Sequence, residues 1–231
     1  MAVGLFKTLK DTIFPLSCVS CRRDGELLCS ECRAGFVCRT TQHCPFCETV
    51  TAYGAACRSH TDESLDGVVA LGWYANPYLQ AVIRQWKYGY VREAEPVLEN
   101  LLSVWMNQCQ QLPTGEWVVM PVPLHPIRQR QRGFNQAMIL GRMVSAELGV
   151  PINTTTIIRT KHVLKAQAEM TDKQKRANRR LDHFAVKGRV PKQVILVDDV
   201  YTTGRTMQMC TEVLKQAGAQ TVWGCVLAKG D

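Results

Sequence analysis

Nowhere in the 231 residues does an apolar run approach the roughly 20 residues needed to cross a bilayer. Residues 1–16 also lack the unbroken apolar core of a secretion signal, so the chain reads as cytoplasmic and not as an integral membrane protein. Low-complexity tracts are missing, and no internal repeat stands out beyond a rhythm of cysteines near the start. Acidic residues are in the minority, 20 against 28 basic ones, and the net charge of +8 points to an anionic partner. A polyphosphate substrate and a nucleic acid both satisfy that charge. Aromatics make up only 7%, but an apolar fraction of 46% is that of a globular chain, long enough for one medium domain and a small module.

Cysteine is what the chain has in excess, with eleven. A reducing compartment disfavours structural disulfides, so most of them call for metal. They come as Cys18-x2-Cys21, Cys29-x2-Cys32 and Cys44-x2-Cys47, and Cys57 with His60 repeats the spacing. Each pair can turn two donors toward one ion, and two pairs complete a tetrahedron. Four pairs therefore imply two structural Zn²⁺ sites, partitioned in order: Cys18, Cys21, Cys29 and Cys32, then Cys44, Cys47, Cys57 and His60. Crossed pairing is the alternative, and iron–sulfur ligation and a disulfide scaffold are the competing chemistries. Cys38 and His43 fall outside the rhythm, while Cys109, Cys210 and Cys225 lie in apolar patterns and read as buried small hydrophobes. Large apolar residues are scarce between Cys18 and His60, so metal would supply much of the folding energy. Ahead of the cysteines, Leu5, Phe6, Leu9 and Ile13 share one face of a helix that Pro15 ends; it packs on its own domain or lies on a membrane surface. The module is assigned residues 1–63.

Residues 64–231 read as an α/β domain. Strands are expected at Val68–Tyr74, Trp117–Val122, Val194–Val197 and Thr221–Ala228, with helices from Pro77 to Trp86, Arg92 to Gln111, Asn135 to Leu148 and Arg205 to Gln216. Their alternation argues for a mainly parallel sheet covered on both faces. The informative string is Val194-Ile195-Leu196-Val197-Asp198-Asp199-Val200-Tyr201-Thr202-Thr203-Gly204-Arg205-Thr206. Two carboxylates follow a buried strand, and a Thr/Gly loop leads into a helix whose free N–H groups and dipole favour an anion. Gly204 lets the backbone approach closely, the threonine hydroxyls donate to phosphate oxygens, and the carboxylates accept from ribose hydroxyls. The bland reading of the parts, a turn and a helix cap, does not account for their conjunction. The string resembles the 5-phosphoribosyl diphosphate (PRPP) motif of type I phosphoribosyltransferases.

A second strand–loop–helix unit runs from Trp117 to Leu148 and carries Arg128, Arg130 and Arg132 at alternating positions, able to clamp a diphosphate if the loop is extended. Lys87 is a further cation within reach of such a group. Residues 156–192 hold eleven Lys or Arg against three acids and few apolar side chains. They read as a mobile flap over the ligand, the alternative being a disordered basic loop that could track a nucleic-acid backbone.

Taken together, the Cys-x2-Cys pairs, the string Val122-Pro123-Leu124-His125-Pro126-Ile127-Arg128 through Arg132-Gly133-Phe134-Asn135-Gln136, and the Asp198-to-Thr206 motif resemble the ComF family. Gln167, Arg176 and Asn178 also match its segment between the two phosphate loops. The resemblance implies a double zinc ribbon joined to a type I phosphoribosyltransferase fold that binds PRPP with Mg²⁺. It places Asp198 and Asp199 at the reacting ribose, and Thr202, Thr203, Gly204, Arg205, Thr206, Lys87, His125, Arg128, Arg130 and Arg132 on the phosphates. It further implies a role in natural competence or DNA utilisation, with single-stranded DNA and a helicase-like competence protein as candidate partners. The acceptor stays open, and no general base for one stands out. A non-catalytic PRPP-sensing scaffold is the alternative, while routine purine or pyrimidine salvage is disfavoured because such enzymes do not usually carry a zinc module.

Overall fold

A computed structural model describes residues 16–47, 49–88, 91–108, 115–124, 129–130, 133–160 and 184–230, with 91 and 92 as backbone only. The amino-terminal helix, Cys109, His125, Arg128, Arg132 and the body of the basic segment at 161–183 lie outside the described residues. Among those described, no helix is long and apolar enough to cross a membrane.

The sheet consists of β1 (Gly67–Trp73), β2 (Trp117–Pro121), β5 (Gln193–Tyr201) and β6 (Thr221–Lys229), in the order β1-β6-β5-β2 and parallel throughout. Such strands are covered on both faces and so read as continuous apolar runs. Alternation within β5 divides the core, with Ile195 and Val197 on one face and Val194 and Leu196 on the other. Against the first face pack α2 (Pro77–Tyr88), α3 (Val91–Gln108) and α4 (Gln136–Leu148), which bury Trp86, Trp105 and Leu140 there. Against the second packs α5 (Arg205–Gln216), through Met207, Cys210 and Leu214.

The sequence places the end of the strand before the acidic pair at Val197, but β5 continues through that pair to Tyr201. Its polar last third is held because β6 is just as long and the ladder persists, pairing Val200 with Ala228 and Tyr201 with Lys229. The segment read as one polar flap begins and ends in structure. Antiparallel strands β3 (Ile157–Arg159) and β4 (Phe184–Val186) pair at its base and bury Ile157 and Phe184 in the α5-side core.

The cysteine-rich module, which includes the short helix α1 (Ser30–Ala34), closes the open edge of β1. Arg39 N–H donates to Leu71 O at 2.8 Å, and the Gln42 amide brackets Ala70, donating to its O at 3.1 Å and accepting from its N at 3.0 Å. Gly54 permits the approach. It holds φ at +69°, and a Cβ there would stand 1.9 Å from Val68 O. Trp105 and Trp223 donate their indole N–H groups to Arg39 O and Tyr53 O, so the module is anchored on a helix and a strand as well. An exposed sheet edge is a template for aggregation, and this one is covered.

Candidate functional site

Eight metal-ligand candidates converge in two groups, Cys18, Cys21, Cys29 with Cys32 and Cys44, Cys47, Cys57 with His60, each with all donor atoms within 4.8 Å of one another. The partition is sequential. A zinc–sulfur bond of about 2.3 Å in a tetrahedron sets sulfurs about 3.8 Å apart. Cys21–Cys29 and Cys47–Cys57 stand at 3.7 Å, and His60 Nδ1 lies 3.1 Å from Cys57 Sγ and 3.7 Å from Cys44 Sγ. The groups repeat one another in their backbone contacts as well. Cys29 N–H reaches Cys18 Sγ at 3.5 Å, and Cys57 N–H reaches Cys44 Sγ at 3.4 Å.

Charge argues for a cation in the first group. Against the cost of burial, the N–H groups of Cys21, Cys29 and Ser20 pull the Cys18 thiol down to about 6. Cys32, despite the Ser20 hydroxyl, is pushed up to about 11 by burial and its three sulfur neighbours. Four thiolates cannot share this space without a divalent ion at their centre. Cys38 and His43 belong to neither group; Cys38 is buried in the core, and His43 bonds the Arg39 guanidinium, which stacks 3.9 Å over Trp73.

At the carboxyl end of the sheet a cleft of about 320 Å³ opens between β5, the loop after β2 and the start of α5. Asp198, Asp199, Thr202, Thr206 and Lys87 line it. Neighbouring strand residues face opposite ways, so the acidic pair divides between the two sides of the sheet. Asp199 meets Lys87 from α2 at 2.9 Å, with both side chains about one-sixth exposed. Asp198 accepts from Asp199 N–H at 2.8 Å and faces the α5 side, near Cys210. Burial and the adjacent Asp199 charge push its carboxyl up to about 7, against the pull of the Asp199 N–H, Lys87 and Arg159.

The turn after β5 brings the backbone close to the strand end and leaves a helix start uncapped. Gly204 sits at φ +68°, and a Cβ there would lie 2.2 Å from the Tyr201 hydroxyl oxygen. No side chain caps α5, which leaves its first N–H groups without a capping partner at the end of the helix where Thr206 lines the cleft. Thr203 and Arg205 are exposed and stand outside the cleft lining, as does the exposed Arg130, which is helical with its neighbour Gln129. The loop after β2 contributes Pro123, Leu124, Asn135 and Gln136. Asn135 caps α4 by accepting from Ala137 N at 3.1 Å and ties back to Val122 O at 3.0 Å, fixing the cleft wall to β2.

Two lining residues escape the sequence reading. Arg159, at the end of β3, faces the cleft with its guanidinium 5.0 Å from the Phe184 ring centre. Its signal was the Ile157-Ile158 pair just before it, a short strand hidden in a basic stretch. Tyr74, which follows β1, forms the far wall.

A phosphoribosyl transferase domain model matches residues 135–231. Over 93% of this chain and 98% of its own length, competence protein F of Haemophilus influenzae is 30% identical. Competence protein ComFC of Streptococcus pneumoniae is 26% identical over 94% of both chains. The DNA utilization protein YhgH of Escherichia coli O157:H7 is 31% identical over 67% of this chain and 68% of its own. With a parallel sheet, an acidic pair beside an open helix N-terminus, and two metal-ligand groups ahead of them, the chain belongs to the ComF family of phosphoribosyltransferase-domain proteins.

Proposed function

We propose that the cleft binds PRPP together with Mg²⁺ and transfers its 5-phosphoribosyl group to an acceptor, in a pathway of DNA uptake or DNA utilisation. The observation that carries this reading is the convergence of Asp198, Asp199, Thr202 and Thr206 on one cleft at the uncapped start of α5. The 5-phosphate sits on the loop 202–206, and the ribose hydroxyls donate to Asp198 and Asp199. In the transfer, the bond from the anomeric carbon to the diphosphate oxygen breaks, the acceptor bonds to that carbon, and the diphosphate leaves with the electron pair. Positive charge grows on the ribose and negative charge on the diphosphate, so the protein's task is positional and electrostatic. Asp198 and Asp199 face the first and Lys87 serves the second; Arg128, Arg130 and Arg132 are further cations that the family resemblance assigns to the diphosphate, Arg130 standing outside the cleft lining in the free protein. The carboxylates of Asp198 and Asp199 are the hard oxygen donors of the cleft that would hold Mg²⁺ bound with the substrate, and the ion would neutralise charge on the diphosphate. Arg159 adds a cation on the α5 side. In the module, the thiolate-rich donor sets fit two structural Zn²⁺ ions.

The assignment to DNA uptake or utilisation draws on the names of the relatives. The experiment is a melting curve with and without PRPP and Mg²⁺. A bound ligand at 100 times its Kd stabilises by about 2.7 kcal/mol, so Tm should rise several degrees in wild type and not at all in Asp198→Asn/Asp199→Asn. An unmoved wild-type curve at millimolar PRPP would sink the reading. The net charge of +8 favours a second one, a PRPP-sensing scaffold that engages single-stranded DNA or a helicase-like partner. PRPP binding without diphosphate release, alongside salt-sensitive DNA binding lost on charge reversal at Arg176, Arg179 and Arg180, would select it.

A further inference from the structure

β5 and β6 end side by side at Tyr201 and Lys229, which are partners in the ladder. Both side chains reach from the back of the cleft into the second metal-ligand group. The Tyr201 hydroxyl donates to Pro45 O at 3.3 Å, and the Lys229 ammonium donates to Cys44 O at 3.2 Å. These carbonyls belong to the turn that presents Cys44 and Cys47. Phe46 from the same turn packs into the α5-side core and lies 5.5 Å from the His60 ring. Tyr201 is 4% exposed and Lys229 7%, so these are contacts out of water, where a lost polar partner is costly.

Neither residue lines the cleft itself, but both back onto residues beside it. The Tyr201 ring lies directly beneath Gly204, at the turn that receives the phosphate. Lys229 O accepts Tyr74 N–H at 2.7 Å, and Gly230 N–H donates to Tyr201 O at 2.7 Å. Charge is matched as well. Three thiolates, one neutral imidazole and a divalent ion carry a net −1, and the buried Lys229 ammonium is the adjacent countercharge.

We propose that Tyr201 and Lys229 are positioning residues that tie the phosphate loop to the second metal site, so that an ion on Cys44, Cys47, Cys57 and His60 holds the loop in its binding conformation. This rests on the PRPP reading above. The ion fixes the Cys44–Cys47 turn, the turn's carbonyls fix the tyrosine ring and the lysine stem, and the ring sets the height of Gly204. By contrast, the first group sits among Leu27 and Leu28 in the core on the α2–α3 side, which makes it an internal control.

The test is calorimetric titration of PRPP with Mg²⁺ into the full zinc-loaded chain, with metal content and free-protein Tm measured on every variant. Tyr201→Phe keeps the ring and removes one hydrogen bond. It should retain both metal ions and melt within a few degrees of wild type, yet bind PRPP about five- to tenfold more weakly. Cys57→Ser opens the second site and should weaken PRPP at least as much, and adding Tyr201→Phe to it should cost nothing further. Cys32→Ser, in the first site, should leave affinity within about twofold of wild type on the same scale of hydrogen-bond energies. Wild-type affinity in Tyr201→Phe, or additive losses in the double variant, would overturn the proposal alone. Failure of wild type to bind PRPP would instead overturn the reading of the cleft.

Discussion

Asp198 and Asp199 are neighbours in sequence and opposites in surroundings. Asp199 is answered by Lys87, whereas Asp198 sits among protein atoms beside a second negative charge. Its folded-state carboxyl is raised from 3.8 to about 7, so the free protein binds a proton there that the unfolded chain releases. Stability from this group is full below pH 3.8, falls as pH rises through about 7, and is flat beyond. Asp198→Asn keeps an acceptor for the Asp199 N–H without the charge. The variant should melt about 2–4 °C above wild type at pH 8, where the buried charge costs most, and lose that advantage near pH 4. A paired thermal scan at the two pH values checks it, and an equal difference at both would refute the assignment. Among single residues, the contiguous motif was legible because strand, acids and loop are adjacent in the chain. The Lys87–Asp199 pair was not, since nothing local joins residues brought together by the crossing of α2 over the sheet.

At the scale of elements, apolar runs located the sheet because buried parallel strands advertise themselves. The misplaced end of β5 shows the limit of that signal: beyond Val197 the strand is maintained by its ladder with β6, not by side-chain burial. β3 and β4 escaped the reading for a related reason, being three residues each and held by one another and by α5, with the Ile157-Ile158 pair as the one local trace of them. Gln42 is an element in miniature, its amide standing in for a strand along β1. Gln42→Ala leaves the Ala70 N–H and C=O buried without those partners. It should cost about 2–4 kcal/mol, read as a lower denaturant midpoint at unchanged m-value. A loss below about 0.5 kcal/mol would mean that the module covers this edge without stabilising it.

For the whole molecule, the metal-ligand spacing foretold two groups, and the structure adds where the module rests: along the edge of β1 and against the ends of β5 and β6. Metal analysis should return two zinc equivalents per chain. Strong chelation should raise amide exchange at Arg39 and Ala70, whose bonds join module to sheet, well before it reaches β5 at the centre. Simultaneous loss of protection throughout would mean that module and sheet fold as one cooperative unit. The strand order also sets a schedule for synthesis. β1 pairs with β6, and Asp66, just before it, accepts from Val222 N–H 156 positions away. Until the ribosome has delivered β6, β1 has no partner in the sheet and β5 lacks one of its two. The cysteine groups, complete by residue 60, can take up metal long before then. A nascent chain in which that module has closed on its metal would therefore spend most of its elongation with one edge of β1 sheltered and the other exposed, an interval of the kind in which unpaired strands aggregate or engage chaperones.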